Sequence, residues 1–268
     1  MRLDVCNLSF SYKDKIVLNG INLAAESGSV IAVLGANGSG KTTLFKIILD
    51  FLKPKNGKVL FDGKEKTGIC AGIIETPLFW NGMCGLDNLK YYLANEYDEK
   101  TVFEYADKWG LKESLNTKVN KYSLGMKQKL SMILAFSSKR EILIFDEPLN
   151  SLDQHSIGVF FECVTKAKSE NKIIILATHI VYELDRYCDK IYELKDGCLL
   201  EHIPTNNEYK ITFISSEKAQ EAANKIKENS CVIAIGDSII VSVENDEISE
   251  VIKRLADYNI IGVERKTL

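Results

Sequence analysis

The stretch Val30-Ile-Ala-Val-Leu34-Gly35-Ala36-Asn37-Gly38-Ser39-Gly40-Lys41-Thr42 sets the reading of this chain. Five apolar residues bounded by glycine read as a strand buried on both faces. The eight residues that follow fit G-x-x-x-x-G-K-[ST]. Glycines let a backbone turn tightly enough for its N–H groups to converge on phosphate oxygens. A helix starting near Lys41 adds the positive end of its dipole. Lys41 is then placed to reach β- and γ-phosphates, and the Thr42 hydroxyl to ligate Mg²⁺.

About 100 residues downstream, Ile142-Leu-Ile-Phe-Asp146-Glu147-Pro148 runs four apolar residues into two carboxylates. That describes a buried strand ending at the edge where open α/β sheets bind ligands. There Asp146 can hold Mg²⁺ and Glu147 can polarise an attacking water.

Outward from these two points the pattern alternates. Residues 141–145 and 172–177 read as further buried strands, and 42–52, 85–96, 99–109, 123–137 and 154–169 as helices. Strands alternating with helices predict an α/β fold around a parallel sheet. The polar stretch Glu201-His-Ile-Pro204-Thr-Asn-Asn-Glu208 marks a domain boundary, giving domains 1–204 and 205–268. The second reads as strand 209–214, helix 216–229, strands 231–236 and 238–244 joined at Gly236-Asp237, helix 246–258 and strand 260–265. That β-α-β-β-α-β order predicts a small ferredoxin-like α+β domain.

Composition narrows the function. Of 268 residues, 46% are hydrophobic and 26% charged, and the net charge is −3. This is globular usage, with no basic excess to neutralise nucleic acid. The longest apolar runs are about five residues, far short of the roughly 20 that span a bilayer. The N-terminus has no apolar signal segment. Seven cysteines without a CxxC pair predict reduced thiols in a cytosolic chain.

Between the two phosphate-site motifs lies Tyr122-Ser123-Leu124-Gly125-Met126-Lys127-Gln128-Lys129. Here the chain resembles the ATP-binding subunits of ABC transporters, whose signature is usually Leu-Ser-Gly-Gly-Gln followed by a second Gln and a basic residue. Ser123, Gly125, Gln128 and Lys129 keep that pattern; Leu124 and Met126 depart from it. Asn150-Ser-Leu-Asp153 resembles the family's D-loop and Thr178-His179 its switch histidine. Tyr12 lies where the family stacks an aromatic ring on adenine. The segment Ala71-Gly-Ile-Ile-Glu75 carries Glu where the family usually has Gln. With the altered signature, that Glu75 resembles the subgroup of exporters for bacitracin and lantibiotic self-protection. The resemblance covers nearly all of 1–204 in motif order, and 205–268 more loosely.

The resemblance implies an ABC-type ATPase with a helical subdomain at about 76–135. It implies ATP and Mg²⁺ as ligands, with Glu147, His179 and Lys41 catalytic. Tyr12, Gly35, Ala36, Asn37, Gly38, Ser39, Gly40, Lys41, Thr42, Thr43, Ser123 and Gly125 bind nucleotide, and Thr42, Glu75 and Asp146 the metal. One P-loop and one signature per chain imply a head-to-tail homodimer, or a pairing with a related ATPase subunit. The chain would drive a separate membrane permease from the cytoplasmic face of the cell membrane, without nucleic acid as partner. The helical segment would carry the docking surface, with Phe79 and Trp80 as candidate exposed aromatics for which a core role is equally open. Two rivals are a soluble ABC protein acting on ribosomes or in regulation, and a regulator that binds nucleotide without hydrolysing it. The first would need basic surfaces, paired ATP modules or long coiled coils. The second would lack the catalytic residues present here.

Overall fold

The computed structural model describes residues 1–13, 15–65, 68–74, 78–150, 152–178, 184–201, 208–226, 231–242 and 248–265. Its contacts divide the chain into two compact units, Met1–His202 and Ile203–Leu268.

The first unit opens with a hairpin, β1 (Arg2–Tyr12) and β2 (Lys15–Glu26), followed by β3 (Val30–Leu34) and α1 (Lys41–Ile48). Then come β4 (Asn56–Phe61), β5 (Cys70–Ile73), α2 (Gly85–Leu93), α3 (Glu99–Lys108), α4 (Leu124–Ser137) and β6 (Ile142–Asp146). The unit closes with α5 (Gln154–Ser169), β7 (Ile173–Thr178), α6 (Leu184–Tyr187), β8 (Lys190–Lys195) and β9 (Cys198–Glu201). One sheet has the order β5-β6-β7-β3-β8-β9, parallel until β9 pairs antiparallel with β8. A second, antiparallel sheet has the order β2-β1-β4.

The continuous apolar runs are explained by what covers them. In β3, Val30, Ala32 and Leu34 enter one core, built with α2–α5, while Ile31 and Val33 enter another, shared with α1 and the antiparallel sheet. β6 divides the same way: Leu143 and Phe145 on one side, Ile142 and Ile144 on the other. A strand buried on both faces cannot show alternation, because neither face meets water. Each buried Val, Leu, Ile or Phe among them contributes roughly 1.5–3 kcal/mol.

Several sequence-predicted bounds shift. The helix expected at 42–52 ends at Ile48, where Asp50 turns left-handed (φ 63°) and Phe51 N–H bonds back to Lys46 O at 2.8 Å. The helix expected at 85–96 is α2 to Leu93, then a tighter 3₁₀ turn at Ala94–Glu96. Of the two aromatics open to either a surface or a core role, Phe79 packs partly buried against the core, while Trp80 stands in solvent, 55% exposed.

The second unit runs β10 (Glu208–Phe213), α7 (Ser216–Ile226), β11 (Cys231–Ile235), β12 (Ser238–Ser242), α8 (Ile248–Arg254) and β13 (Ile260–Arg265). The helix expected at 246–258 is thus short, followed by a 3₁₀ turn at Ala256–Tyr258. Its sheet has the order β11-β12-β10-β13, every pair antiparallel. Ile211, Phe213, Ile239 and Val241 form its core with Ala219, Ala222 and Leu255.

Candidate functional site

The carboxyl ends of β3, β6 and β7 lie side by side: Leu34 pairs with Thr178, and Asp146 with Ala177. Because β7 lies between them, the loop leaving β3 and the acidic end of β6 face each other across one strand. Residues 35–40 wrap over this edge and lead into α1.

The loop's shape depends on two glycines. A Cβ on Gly35 would lie 2.6 Å from Ser39 Oγ and 2.7 Å from the Leu194 carbonyl at the end of β8. Gly40 caps α1 at φ 112°, and a Cβ there would meet Val17 Cγ1 at 2.9 Å. No side chain caps the first turn of α1 and no acidic residue occupies it. An anion therefore meets helix N–H groups without competing carboxylates on that turn.

Four side chains converge over the loop. The Lys41 ammonium is only 6% exposed and donates to Gly35 O at 2.6 Å and Ala36 O at 3.3 Å. It also lies 3.3 Å from Glu147 Oε1. The Thr42 hydroxyl donates to Asp146 Oδ2 at 2.5 Å. These two oxygens, one neutral and one anionic, suit a hard divalent cation that takes oxygen ligands. Glu147 is held in the left-handed region, φ 50°, while its N–H still bonds Ala177 O at 2.9 Å. The turn at this residue swings its carboxylate back over the loop.

A cleft of about 290 Å³ collects Tyr12, Asn37, Gly38, Gly40, Lys41, Thr42, Thr43, Asp146 and Glu147, joined by Lys15 and Val17. Gly35, Ala36 and Ser39 build the turn that supports this wall, with Ser39 N–H bonded to Ala36 O at 3.1 Å. Tyr12 ends β1 half exposed, edge-on to Phe10 with ring centroids 4.9 Å apart. Lys15 and Val17 were missed in the sequence. The signal for Lys15 is the hairpin pairing that sets it opposite Tyr12.

Ser123 and Gly125 are not among the residues lining this cleft. Ser123 is exposed and caps α4, its hydroxyl accepting from Met126 N–H at 3.2 Å. Gln128 Nε2 donates to Pro148 O at 3.5 Å and Lys129 lies 3.6 Å from Asp153, so α4 is tied to the segment after Glu147. Asp153 caps α5 by accepting from Ser156 N–H at 2.8 Å, which holds its carboxyl below the usual range. Glu75 and His179 lie outside the described residues.

The chain is similar to known proteins. The family model described as ABC transporter matches residues 18–150. The lantibiotic transport ATP-binding protein SrtF of Streptococcus pyogenes is 32% identical over 206 residues, covering 74% of this chain and 89% of that protein. The bacitracin transport ATP-binding protein BcrA of Enterococcus faecalis is 33% identical over 207 residues, covering 74% and 67%. A solved ATP-binding subunit of an ABC transporter superposes with a TM-score of 0.71 at 27% identity, over 76% of this chain and 90% of that one. The glycine-shaped loop and the paired carboxylates on the next-but-one strand accord with these likenesses: the chain belongs to the ATP-binding proteins of ABC transporters.

Proposed function

We propose that this chain hydrolyses ATP with Glu147 as base and Lys41 as counter-charge, and passes the resulting open–closed cycle to a separate membrane permease. The observation that carries this reading is the meeting of Lys41, Thr42, Asp146 and Glu147 over one glycine-shaped loop.

The loop N–H groups from Asn37 to Lys41 would hold the β- and γ-phosphates, with Lys41 turning from Gly35 O and Glu147 toward them. Thr42 and Asp146 would hold Mg²⁺, joined by Glu75. A bound Mg²⁺ neutralises charge on the phosphate oxygens. Glu147, released from Lys41, would accept the proton of the attacking water, with His179 beside the γ-phosphate. Tyr12 would stack on adenine, since stacking needs only a flat π face. Ser123 and Gly125, which do not line their own chain's cleft, would serve nucleotide bound by a second copy or by a related subunit. ATP would then favour the closed dimer, and hydrolysis would remove that preference.

The transported cargo is proposed from relatives: two of them are named for lantibiotic and bacitracin transport, which supports an exporter of antimicrobial peptides or similar amphiphiles. The helical segment at about 76–135 would dock the permease, with Trp80 beside Tyr91 as exposed aromatics. No helix among the described residues is long and apolar enough to cross a membrane, consistent with a peripheral place on the cytoplasmic face through the permease. Residues 205–268 would form a ferredoxin-like domain, a reading supported by the β-α-β-β-α-β order and the antiparallel sheet. The test is Lys41→Ala: loss of hydrolysis with weakened ATP binding supports the reading, and parental turnover refutes it.

A further inference from the structure

The segment just before Ser123 is built more rigidly than the exposed tip it carries. The chain entering α2 is zipped to residues 115–119: Gly85 N–H bonds Thr117 O at 3.2 Å, Leu86 N–H bonds Leu115 O at 2.9 Å, and Val119 N–H bonds Met83 O at 3.0 Å. Tyr122 closes this knot. Its N–H bonds Val119 O at 3.0 Å, and its hydroxyl donates to Ser114 O at 2.7 Å. The ring is 6% exposed and belongs to the core that holds Leu89, Leu115 and Leu130. Gly85 faces the hydroxyl with a bare Cα: any Cβ there would overlap the Tyr122 hydroxyl and lie 3.2 Å from Leu115 O. Burial pushes the phenol up to about 12, so it stays a donor at neutral pH.

One residue later the chain is in solvent. Ser123 and Leu124 are exposed, and α4 begins there. A buried side chain clamped at ring and hydroxyl thus fixes the point from which an exposed helix N-terminus departs. We propose that Tyr122, seated on Gly85, is a positioning residue that sets Ser123 and Gly125 for the nucleotide held by a second copy of this chain. The proposal rests on the head-to-tail dimer put forward above.

The experiment uses the full chain carrying Glu147→Gln, with ATP-dependent dimerisation followed by analytical ultracentrifugation. Tyr122→Phe, Gly85→Ala and Ser123→Ala are each added to that background, and binding of a fluorescent ADP analogue to the monomer is measured alongside. Tyr122→Phe keeps the ring, and Ser114 O keeps its bond from Thr117 N–H at 2.8 Å, so this variant folds. Both Tyr122→Phe and Gly85→Ala should weaken the dimer about ten-fold or more, the scale on which small misplacements act, with ADP affinity unchanged. Ser123→Ala should weaken it as well. If Ser123→Ala weakens the dimer and Tyr122→Phe does not, the positioning role is overturned. If ADP affinity falls together with dimerisation, Tyr122 merely supports the fold and the proposal is equally overturned. If the Glu147→Gln chain forms no ATP-dependent dimer, or Ser123→Ala leaves it intact, the dimer reading fails first and takes the proposal with it.

Discussion

Replacing Glu147 by Ala and by Gly isolates one term: the strain of a left-handed residue at the heart of the site. Glu147 adopts φ 50° because the chain must turn out of β6 while its N–H remains bonded to Ala177 O at 2.9 Å. Both substitutions remove the same carboxylate and the same ion pair to Lys41. They differ only by a Cβ. A left-handed conformation costs an L-residue with a Cβ roughly 1–2 kcal/mol and costs glycine nothing comparable. Against this, glycine loses about 0.5–1 kcal/mol more than alanine in backbone entropy on folding. The difference leaves Glu147→Gly more stable than Glu147→Ala by about 0.5–1 kcal/mol. For a unit of about 200 residues that is a Tm difference of about 1–4 °C. Thermal unfolding of both nucleotide-free variants, under identical salt and pH, provides the comparison. Equal midpoints, or a higher midpoint for Glu147→Ala, would mean that the turn is not held left-handed, and the account of how the carboxylate is aimed would fail with it.

Other outcomes follow from the same geometry. Gly35→Ala forces a Cβ against the Leu194 carbonyl, a backbone atom that cannot swing aside, so it should lose nucleotide binding while Gly38→Ala, with open space around it, retains more; isothermal titration of both separates them. Tyr12→Phe should bind ATP almost as the parent does, whereas Tyr12→Ala should lose about 1–2 kcal/mol of stacking, read as a five- to thirty-fold weaker Kd; equal losses would assign the effect to the hydroxyl. Burial pushes the Cys163 thiol up to about 11, above its ordinary value. Its thiolate therefore stays scarce at pH 8, and iodoacetamide should label exposed Cys198 first and Cys163 only after unfolding, as peptide mass mapping would record. Early labelling of Cys163 would place it outside the core.

The parts of this chain legible in the sequence are those whose physics is local. The run from Val30 to Leu34 followed by Gly35–Thr42 states strand, turn and helix within thirteen residues, and the apolar run into Asp146 and Glu147 states a buried strand end. The antiparallel sheet β2-β1-β4 was not read. Buried Leu3 and Val5 in β1 and buried Ile21, Leu23 and Ala25 in β2 do alternate with their neighbours, but register shifts between Val5 and Leu8 and between Leu8 and Phe10 break the pairing, and the partner of each strand is not written locally. Lys15 escaped for the same reason, since only the hairpin pairing brings it beside Tyr12. α1 and α2 end earlier than the pattern predicts because the chain turns at Asp50 (φ 63°) and Ala94 (φ 46°), residue types that do not announce a helix end as glycine does. Core and surface are equally open for Phe79 and Trp80 in the sequence, because the choice is made by tertiary packing: Phe79 packs against the core and Trp80 stands in solvent.

The most direct test of the account is the steady-state ATPase rate of the purified full chain beside Glu147→Gln, with ATP binding measured on both. Glutamine keeps the shape of the side chain over Lys41 and removes its ability to take a proton. The account predicts that Glu147→Gln binds ATP at least as tightly as the parent and hydrolyses it slower by about 10²-fold or more, the scale of a lost general base. Turnover near the parental rate would contradict it, because the carboxylate held at the end of β6 would then have no part in the chemistry.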